Sequence, residues 1–296
     1  MQRRQLFLAA AAGAALSSRP AAAARRSTRS PVFGRDGAEL FVRDWGEGRP
    51  IVFLAGWTLT SEAWAYQAAE LSDQGFRCVA YDRRGHGRSD DPGRGYDYDT
   101  LADDLAAVLE ARDLRDVTVV AHSMASGEIT RYMSRHGGAR VRDIVYLAPT
   151  TPFLTRTADN PMGAPAEFFE QTRKAWMRDF PAWIDANAAP FVTPDTSSAM
   201  VAWLKDMMLS CSMRAVVDCN KAMVAADFRA ELARIRVPAL VIHGDKDASA
   251  PLPLTGQRTA ELIPGAKLMV YEGAPHGLFV THIDRLNADL LAFARR

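Results

Sequence analysis

Cysteine is scarce in this sequence, where Cys78, Cys211 and Cys219 are the only three in 296 residues. An odd number of cysteines excludes complete pairing into disulfides, and no C-x-x-C spacing typical of a zinc site occurs. We therefore expect no metal site, and we interpret the three cysteines as small, buried apolar residues.

An excess of charge of one sign is also missing. The chain has 36 Lys and Arg against 35 Asp and Glu, which leaves a formal net charge of +1. This balance lacks the electrostatic signature of a protein that binds nucleic acid. Hydrophobic residues make up 48% of the chain, enough for a sizeable core. We expect the partner to be a small molecule, and the sequence predicts no oligomeric state.

An apolar run near the N-terminus, residues 6–16, falls short of the ~20 residues that cross a membrane. The Arg3-Arg4 pair precedes this run, and four alanines follow it at residues 21–24. A charged start, a short apolar middle and a small-residue end are typical of a signal peptide, and paired arginines are typical of twin-arginine export. We therefore predict that residues 1–24 are a signal peptide of an exported, periplasmic or secreted protein without a stable membrane anchor. An alanine-rich tail without a targeting role is the alternative.

After a linker at residues 25–31, short apolar runs alternate with helical patterns. Residues 51–55 are a continuous apolar run, which is typical of a parallel strand buried on both faces, and residues 117–121 are also predicted to form a strand. This alternation predicts an α/β fold with a mostly parallel central sheet flanked by helices, over residues 32–296. Residues 153–229 are rich in aromatic residues and methionine, have helical patterns, and are predicted to form a helical cap.

The run at residues 117–121 leads almost directly to Ser123, and a helical pattern follows at once. A serine between a strand and a helix is typical of a nucleophile elbow, which needs small residues two positions before and after the serine. Here those residues are Ala121 and Ala125, where glycine is usual. Ser123 is the predicted nucleophile, and a helix-capping serine is the alternative.

A serine hydroxyl needs an adjacent base to become a good nucleophile. His276 lies in a Gly/Pro loop after the strand-like residues 268–271, which places it at the carboxyl edge of the predicted sheet. We predict that His276 is the general base. The other histidines are interpreted as structural: His86, His122, His136, His243 and His282.

The third member of such a site is an acid that orients the imidazole. Asp247 follows the strand-like residues 239–243 and is the predicted acid. Asp245 is the alternative, and its position in a tight turn favours a turn-capping role.

The oxyanion of an acyl-transfer reaction needs two hydrogen-bond donors, and we predict the backbone N–H groups of Met124 and Trp57. An apolar substrate pocket is expected beneath the cap. Its predicted lining residues are Trp57, Phe168, Trp176, Trp203 and Met207. The alternative for each of these side chains is that it only packs the cap onto the sheet.

Several segments resemble the α/β-hydrolases and, within them, the cofactor-free haloperoxidase (perhydrolase) and arylesterase group. The resemblance covers the chain from about Val32 to the end. It is carried by YDRRGHGRS (residues 81–89), SMASGE (123–128), ADF (226–228), VPALVIHGDKD (237–247) and GAPHG (273–277). The order Ser, acid, His along the chain is also that of the α/β-hydrolases.

The resemblance implies a carboxylic-ester hydrolase that forms an acyl-enzyme on a Ser123, Asp247 and His276 triad. It implies no metal, haem or other cofactor. Members of this group also convert a carboxylic acid and peroxide into a peracid, which then oxidises halide. This chain differs at two places: Ala55 stands where the family usually has a histidine, and alanines replace the elbow glycines.

Other functions remain open on the sequence alone. A lactonase or a C–C bond hydrolase would use the same triad. A catalytically inactive binding protein with the hydrolase fold is the alternative from a different class. Ser123 argues against a haloalkane dehalogenase or an epoxide hydrolase of this fold, because both need an acid at that position.

Overall fold

The computed structural model describes residues 30–296, so the predicted signal peptide and most of the predicted linker lie outside the described residues. Within this range a two-stranded antiparallel ribbon precedes a seven-stranded sheet. The strands are β1 (Val32–Phe33), β2 (Glu39–Leu40), β3 (Val42–Trp45), β4 (Arg49–Leu54), β5 (Phe76–Tyr81), β6 (Val117–His122), β7 (Val141–Leu147), β8 (Ala239–Gly244) and β9 (Lys267–Tyr271).

The strand order of the large sheet is β3-β5-β4-β6-β7-β8-β9. The edge strand β3 is antiparallel to β5, and the remaining neighbours pair in parallel. Every residue of the central strand β6 is buried, whereas the edge strand β9 is largely exposed. Complete burial therefore marks the centre of the sheet, as expected for strands covered on both faces.

Ten α-helices accompany these strands in the described part of the chain. They are α1 (Ala65–Asp73), α2 (Tyr98–Ala111), α3 (Ala125–His136), α4 (Ala166–Asn187), α5 (Ser198–Leu209), α6 (Met213–Ala225), α7 (Arg229–Leu232), α8 (Gly256–Leu262), α9 (Leu278–Thr281) and α10 (Ile283–Ala294). A 3₁₀ turn, Ser61–Trp64, directly precedes α1.

The side chains of β4 show how the sheet builds a core on each face. Val52 and Leu54 belong to the cluster that α2 and α3 cover, and Ile51 and Phe53 belong to the cluster that α1 and α10 cover. Successive residues of a strand point to opposite faces, so one apolar strand serves both cores. The predicted α/β fold, with a mostly parallel sheet between helical layers, is confirmed.

Helices α4 to α7 lie in the cap insertion, which we define as residues 148–238 between β7 and β8. Helix α4 is kinked at Asp179, where the backbone is not helical, and Pro181 follows within the same helix. Proline lacks the N–H that a helix interior needs, which accounts for the break. The Asp179 carboxylate accepts from the Ala182 N–H at 2.9 Å and so caps the second half of the helix.

No helix within residues 30–296 has both the length and the apolar composition needed to cross a membrane. The same range holds no group of three or more His, Cys, Asp or Glu side chains arranged to bind a metal ion. All three cysteines are buried and free of disulfides, in agreement with their interpretation as small apolar residues.

Candidate active site

Ser123 sits in a tight turn between β6 and α3. Its backbone has φ = 55°, a left-handed conformation that a non-glycine residue adopts under strain and that clusters at functional sites. The Ser123 N–H donates to Leu147 O on β7 at 2.9 Å, and Ser123 O accepts from the Ser126 N–H at 3.0 Å. These bonds hold the serine between strand and helix. Ala121 and Ala125 are both completely buried beside it.

Three side chains that are far apart in sequence meet at this turn. Ser123 Oγ donates to His276 Nε2 at 2.9 Å, and His276 Nδ1 donates to Asp247 Oδ2 at 2.6 Å. A carboxylate can only accept, so Nδ1 carries the proton and Nε2 is free to accept from the serine. The arrangement can transfer the serine proton to a histidine that a buried acid orients.

The alternative acid, Asp245, faces elsewhere. Its Oδ1 accepts from the Gly273 N–H at 2.7 Å, which fits the turn-capping role favoured from sequence. Asp247, in contrast, is buried and directed at His276. The structure thus brings Asp247, and not Asp245, to the histidine.

The Asp247 carboxylate is fully engaged by its surroundings. Its Oδ1 accepts from the backbone N–H groups of Ser249 at 2.9 Å and Ala250 at 2.7 Å. Burial by itself would raise the pKa of Asp247. The charge of His276 and the hydrogen bonds from His243 and His276 outweigh burial and hold that pKa well below its usual range. The acid is therefore ionised at neutral pH and can stabilise a protonated His276.

The imidazole of His243 is a second neighbour of the Asp247 carboxylate. The sequence predicts a structural role for His243 but not this contact. Its Nε2 donates to Ala250 O at 2.8 Å and lies 3.1 Å from Asp247 Oδ2, with both side chains fully buried. A Cβ on Gly256 would lie 2.2 Å from His243 Nδ1, so the start of α8 packs directly on the ring. The only sequence signal is a histidine at a strand end, four residues before the acid.

His122 supports the histidine loop from the other side. Its Nε2 donates to the backbone oxygen of His276 at 3.1 Å, and the two rings lie 4.8 Å apart. Burial, with a smaller contribution from His276, lowers the pKa of His122 well below its usual value. His122 is therefore neutral and acts as a hydrogen-bond donor that positions the His276 backbone.

The two predicted oxyanion donors flank the serine. Trp57 belongs to the loop after β4, where a Cβ on Gly56 would lie 3.2 Å from Ser123 Cβ, and Met124 directly follows the serine. Within residues 30–296, no hydrogen bond uses the backbone N–H of Trp57 or that of Met124. Both donors are thus available to a bound substrate.

The Trp57 side chain points into the cap. Its Nε1 donates to Val216 O at 3.0 Å, and its ring lies 4.6 Å from Trp176 and 6.0 Å from both Phe180 and Trp183. We call these four rings the aromatic cluster. It joins the loop after β4 to α4 and contains two of the predicted pocket residues, Trp57 and Trp176.

The other predicted pocket residues lie in other places. Trp203 and Met207, on α5, line a cavity of about 390 Å³ together with Thr60 and Arg88. Phe168 is 57% exposed and contacts the neighbouring Phe169 at a ring distance of 5.4 Å. The structure therefore does not place Phe168 in an enclosed pocket, because it lies on the outer side of α4.

With this geometry established, comparison with known proteins identifies the family. Residues 51–289 match the alpha/beta hydrolase family. The chain belongs to the α/β hydrolase family. The order Ser123, Asp247, His276 and the position of each at the carboxyl end of a strand are typical of this family.

Individual relatives agree with the resemblance seen in the sequence. The chain is 40% identical over 269 residues to a non-heme chloroperoxidase from Kitasatospora aureofaciens, covering 88% of this chain and 98% of the relative. It is 35% identical over 273 residues to a bifunctional esterase/perhydrolase from Acinetobacter calcoaceticus, covering 89% and 99%. A solved bromoperoxidase from Bacillus anthracis superposes with a TM-score of 0.85 at 34% identity, covering 90% of this chain and 100% of that one. The predicted likeness to the haloperoxidase and esterase group is confirmed.

Proposed function

We propose that this protein is a serine hydrolase that cleaves carboxylic esters through an acyl-enzyme. Ser123 is the nucleophile, His276 the general base and Asp247 the orienting acid. The observation that carries this proposal is the continuous chain of hydrogen bonds, 2.9 Å from Ser123 to His276 and 2.6 Å from His276 to Asp247.

In the first step Ser123 Oγ attacks the ester carbonyl carbon while His276 Nε2 takes its proton. The carbonyl oxygen becomes an oxyanion and accepts from the N–H groups of Trp57 and Met124. Asp247 stabilises the imidazolium that forms. The protonated His276 then gives its proton to the leaving alkoxide, and the acyl group stays on Ser123.

In the second step a water molecule attacks the acyl carbon while His276 Nε2 again takes the proton. The ester bond to Ser123 breaks, and the proton returns to Oγ. The carboxylic acid leaves, and the enzyme regains its starting state.

Perhydrolysis is the side activity that we propose for the same site. Hydrogen peroxide in place of water would attack the acyl-enzyme and release a peracid, with His276 in the same role. The support comes from relatives, one described as a bifunctional esterase/perhydrolase and one as a non-heme chloroperoxidase. The proposed steps use no metal or other cofactor.

The aromatic cluster favours small aromatic or aliphatic esters as substrates. Trp57 contributes both a backbone donor to the oxyanion and a ring next to Trp176, so the acyl group would lie against these two rings.

Hydrolysis of short p-nitrophenyl esters by the full chain, beside Ser123→Ala, tests the main proposal. Activity that collapses in the variant supports a serine esterase, and a peroxide and bromide assay then measures perhydrolysis. Wild-type protein that labels with a fluorophosphonate but cleaves only lactones or C–C bonds would point to those reactions instead. Equal behaviour of both proteins would point to an inactive binding protein.

We also propose that the protein is exported through its N-terminal Arg3-Arg4 segment. The support is the sequence pattern of residues 1–24 described above. Replacing both arginines with lysine should retain the full-length protein in the cytoplasm of an expressing cell, whereas the unaltered chain should reach the periplasm or the medium. An unaltered chain that stays in the cytoplasm would contradict the proposal.

A further inference from the structure

The loop that carries the Trp57 N–H follows β4, and we call residues 55–58 the oxyanion loop. Its first residue, Ala55, offers no side-chain hydrogen bond. Two of its backbone carbonyls are nevertheless bound by one buried side chain, because Arg83 Nη2 donates to Ala55 O at 2.7 Å and Arg83 Nη1 to Gly56 O at 3.3 Å. The Leu59 N–H also donates to Gly56 O, at 3.2 Å.

The same guanidinium is anchored to the helix that follows the nucleophile. Arg83 Nε donates to Glu128 Oε1 at 2.7 Å, and Nη2 donates to Glu128 Oε2 at 2.8 Å. Glu128 lies in the first turn of α3, and only 4% of the Arg83 side chain and 1% of the Glu128 side chain are exposed. A two-pronged bond of this kind fixes the plane of the guanidinium as well as its position.

Peptide geometry connects this anchor to the oxyanion donor. The C=O of Gly56 and the N–H of Trp57 belong to one planar trans peptide and point in opposite directions. Because Arg83 and the Leu59 N–H bind the carbonyl on one side, the Trp57 N–H faces the other. Gly56 itself lies against Ser123, since a Cβ added to this glycine would come 3.2 Å from Ser123 Cβ.

We propose that Arg83 and Glu128 are positioning residues for the oxyanion site, and that their ion pair holds the Trp57 N–H in line with the developing oxyanion. This role rests on the proposed esterase function. It couples α3, which presents Ser123 and the Met124 N–H, to the loop that supplies the second donor. Arg83 thus binds the backbone of a loop whose first residue, Ala55, has no polar side chain.

The chain contains a matched control one residue away. Arg84 Nε and Nη2 donate to Asp104 at 2.6 and 2.7 Å, and the exposed fractions of these side chains are 0% and 2%. The further hydrogen bonds of Arg84 go to Asp36 and to the backbone oxygen of Arg94. The Arg84–Asp104 pair resembles the Arg83–Glu128 pair in chemistry and burial, but it lies on the β1–β2 side of the domain.

The experiment compares two double variants of the full chain, Arg83→Met with Glu128→Met, and Arg84→Met with Asp104→Leu. Each removes both members of its buried pair, a change that buried ion pairs often tolerate. Asp36, the further partner of Arg84, is 29% exposed and is left accessible to water in the control. The first variant should lower kcat for p-nitrophenyl acetate by about 10- to 100-fold, the range expected for a displaced catalytic group, with KM nearly unchanged. The control variant should keep kcat close to wild type.

A second readout distinguishes positioning from general damage. A trifluoromethyl ketone adds to Ser123 and forms an oxyanion that imitates the transition state. Its inhibition constant should rise in the Arg83/Glu128 variant by the same factor by which kcat/KM falls, and should stay at the wild-type value in the control. The proposal would be overturned if the Arg83/Glu128 variant kept the kcat and the inhibition constant of the wild type. It would also be overturned if both double variants lost kcat to the same extent.

Arg83→Lys provides the test if the double variant does not fold. Lysine retains the charge beside Glu128 but lacks the planar fork that reaches both loop carbonyls, so kcat should fall and the inhibition constant should rise in the same proportion. Unchanged values would contradict the positioning role. Wild-type protein without ester hydrolysis or fluorophosphonate labelling would instead contradict the esterase proposal, and this assignment with it.

Discussion

At the carboxyl edge of the sheet, directional hydrogen bonds hold the candidate catalytic atoms, whereas ring contacts predominate where Trp57 meets α4 of the cap. Asp247 accepts two backbone N–H groups and contacts two imidazoles, while Trp176 meets its neighbours through ring contacts. Hydrogen bonds weaken steeply with distance and angle, but ring contacts allow a range of geometries. The sheet edge is therefore suited to determine the rate of the reaction, and the cap is suited to determine which acyl groups fit.

The distribution of residue types follows the same division. All six histidines of the chain lie outside the cap insertion. Exposed large apolar side chains, in contrast, are frequent in the cap, with Phe168, Met177 and Leu209 among them. Histidine side chains are therefore confined to the part of the domain outside the cap, while exposed apolar side chains are common in the cap.

The largest effect is expected for the nucleophile. Ser123→Ala should lower kcat for p-nitrophenyl acetate by about 10⁴- to 10⁶-fold, because the triad acts as a unit. Steady-state kinetics measure the loss, and Ser134→Ala, at the exposed end of α3, is the control and should keep wild-type kcat. A Ser123→Ala protein with a kcat within tenfold of wild type would contradict the assignment of the reaction to the carboxyl edge of the sheet.

The next largest loss of kcat is expected for Asp247, in comparison with Asp245 in the same loop after β8. Asp247→Asn should lower kcat about 10⁴-fold, since an amide does not stabilise the imidazolium and favours the wrong histidine tautomer. Asp245→Asn is the matched control two residues away and should stay within a few fold of wild type, because Asp245 binds only a turn N–H. Equal losses in both variants would contradict the assignment of Asp247.

A smaller effect is expected in the cap. Trp176→Ala should enlarge the space beside Trp57 and shift the ratio of kcat/KM values toward longer acyl chains by about tenfold, the scale of one or two methylene contacts. A series of p-nitrophenyl esters from acetate to octanoate measures this shift. Phe168→Ala removes an exposed ring of the same helix and should leave the series unchanged. If the preference for acyl-chain length shifts equally in both variants, this would argue against contact between the aromatic cluster and the acyl chain.

The smallest effect is on stability in acid. Burial lowers the pKa of His86 to about 3, so the folded chain holds this histidine neutral while the unfolded chain protonates it below its ordinary value of 6.5. The unfolded state then binds more protons, and stability that is present above pH 6.5 is lost as the pH falls toward 3. His86 should account for about 1 kcal/mol of lost unfolding free energy between pH 7 and pH 5.5.

Urea unfolding of the wild type and of His86→Gln at these two pH values measures that contribution. The variant should lose less stability on acidification than the wild type, whatever its stability at pH 7. The same pH dependence in both proteins would contradict a buried neutral histidine at this position.

Much of the fold was predictable because the apolar runs are short, continuous and regularly spaced. A strand covered on both faces is built mainly from apolar residues, and in β6 four of the six residues are apolar while all six are buried. The strand–serine–helix junction at Ser123 and the acid and histidine after β8 and β9 were visible for the same reason, since parallel strands end at one edge. The sequence by itself therefore determined the family, the fold and three residues worth testing.

Only the tertiary structure decided which neighbours these residues have. Arg83 and Glu128 are 45 residues apart, and no local pattern predicts that they meet beneath the oxyanion loop. His243 and His122 lie at strand ends and were interpreted as structural, because a sequence does not show which side chains converge on Asp247 and His276. Phe168 was expected in the pocket on composition alone, but the turn of α4 places it outside. Periodicity determines which residues share an element, whereas contacts between distant elements depend on how the whole chain packs.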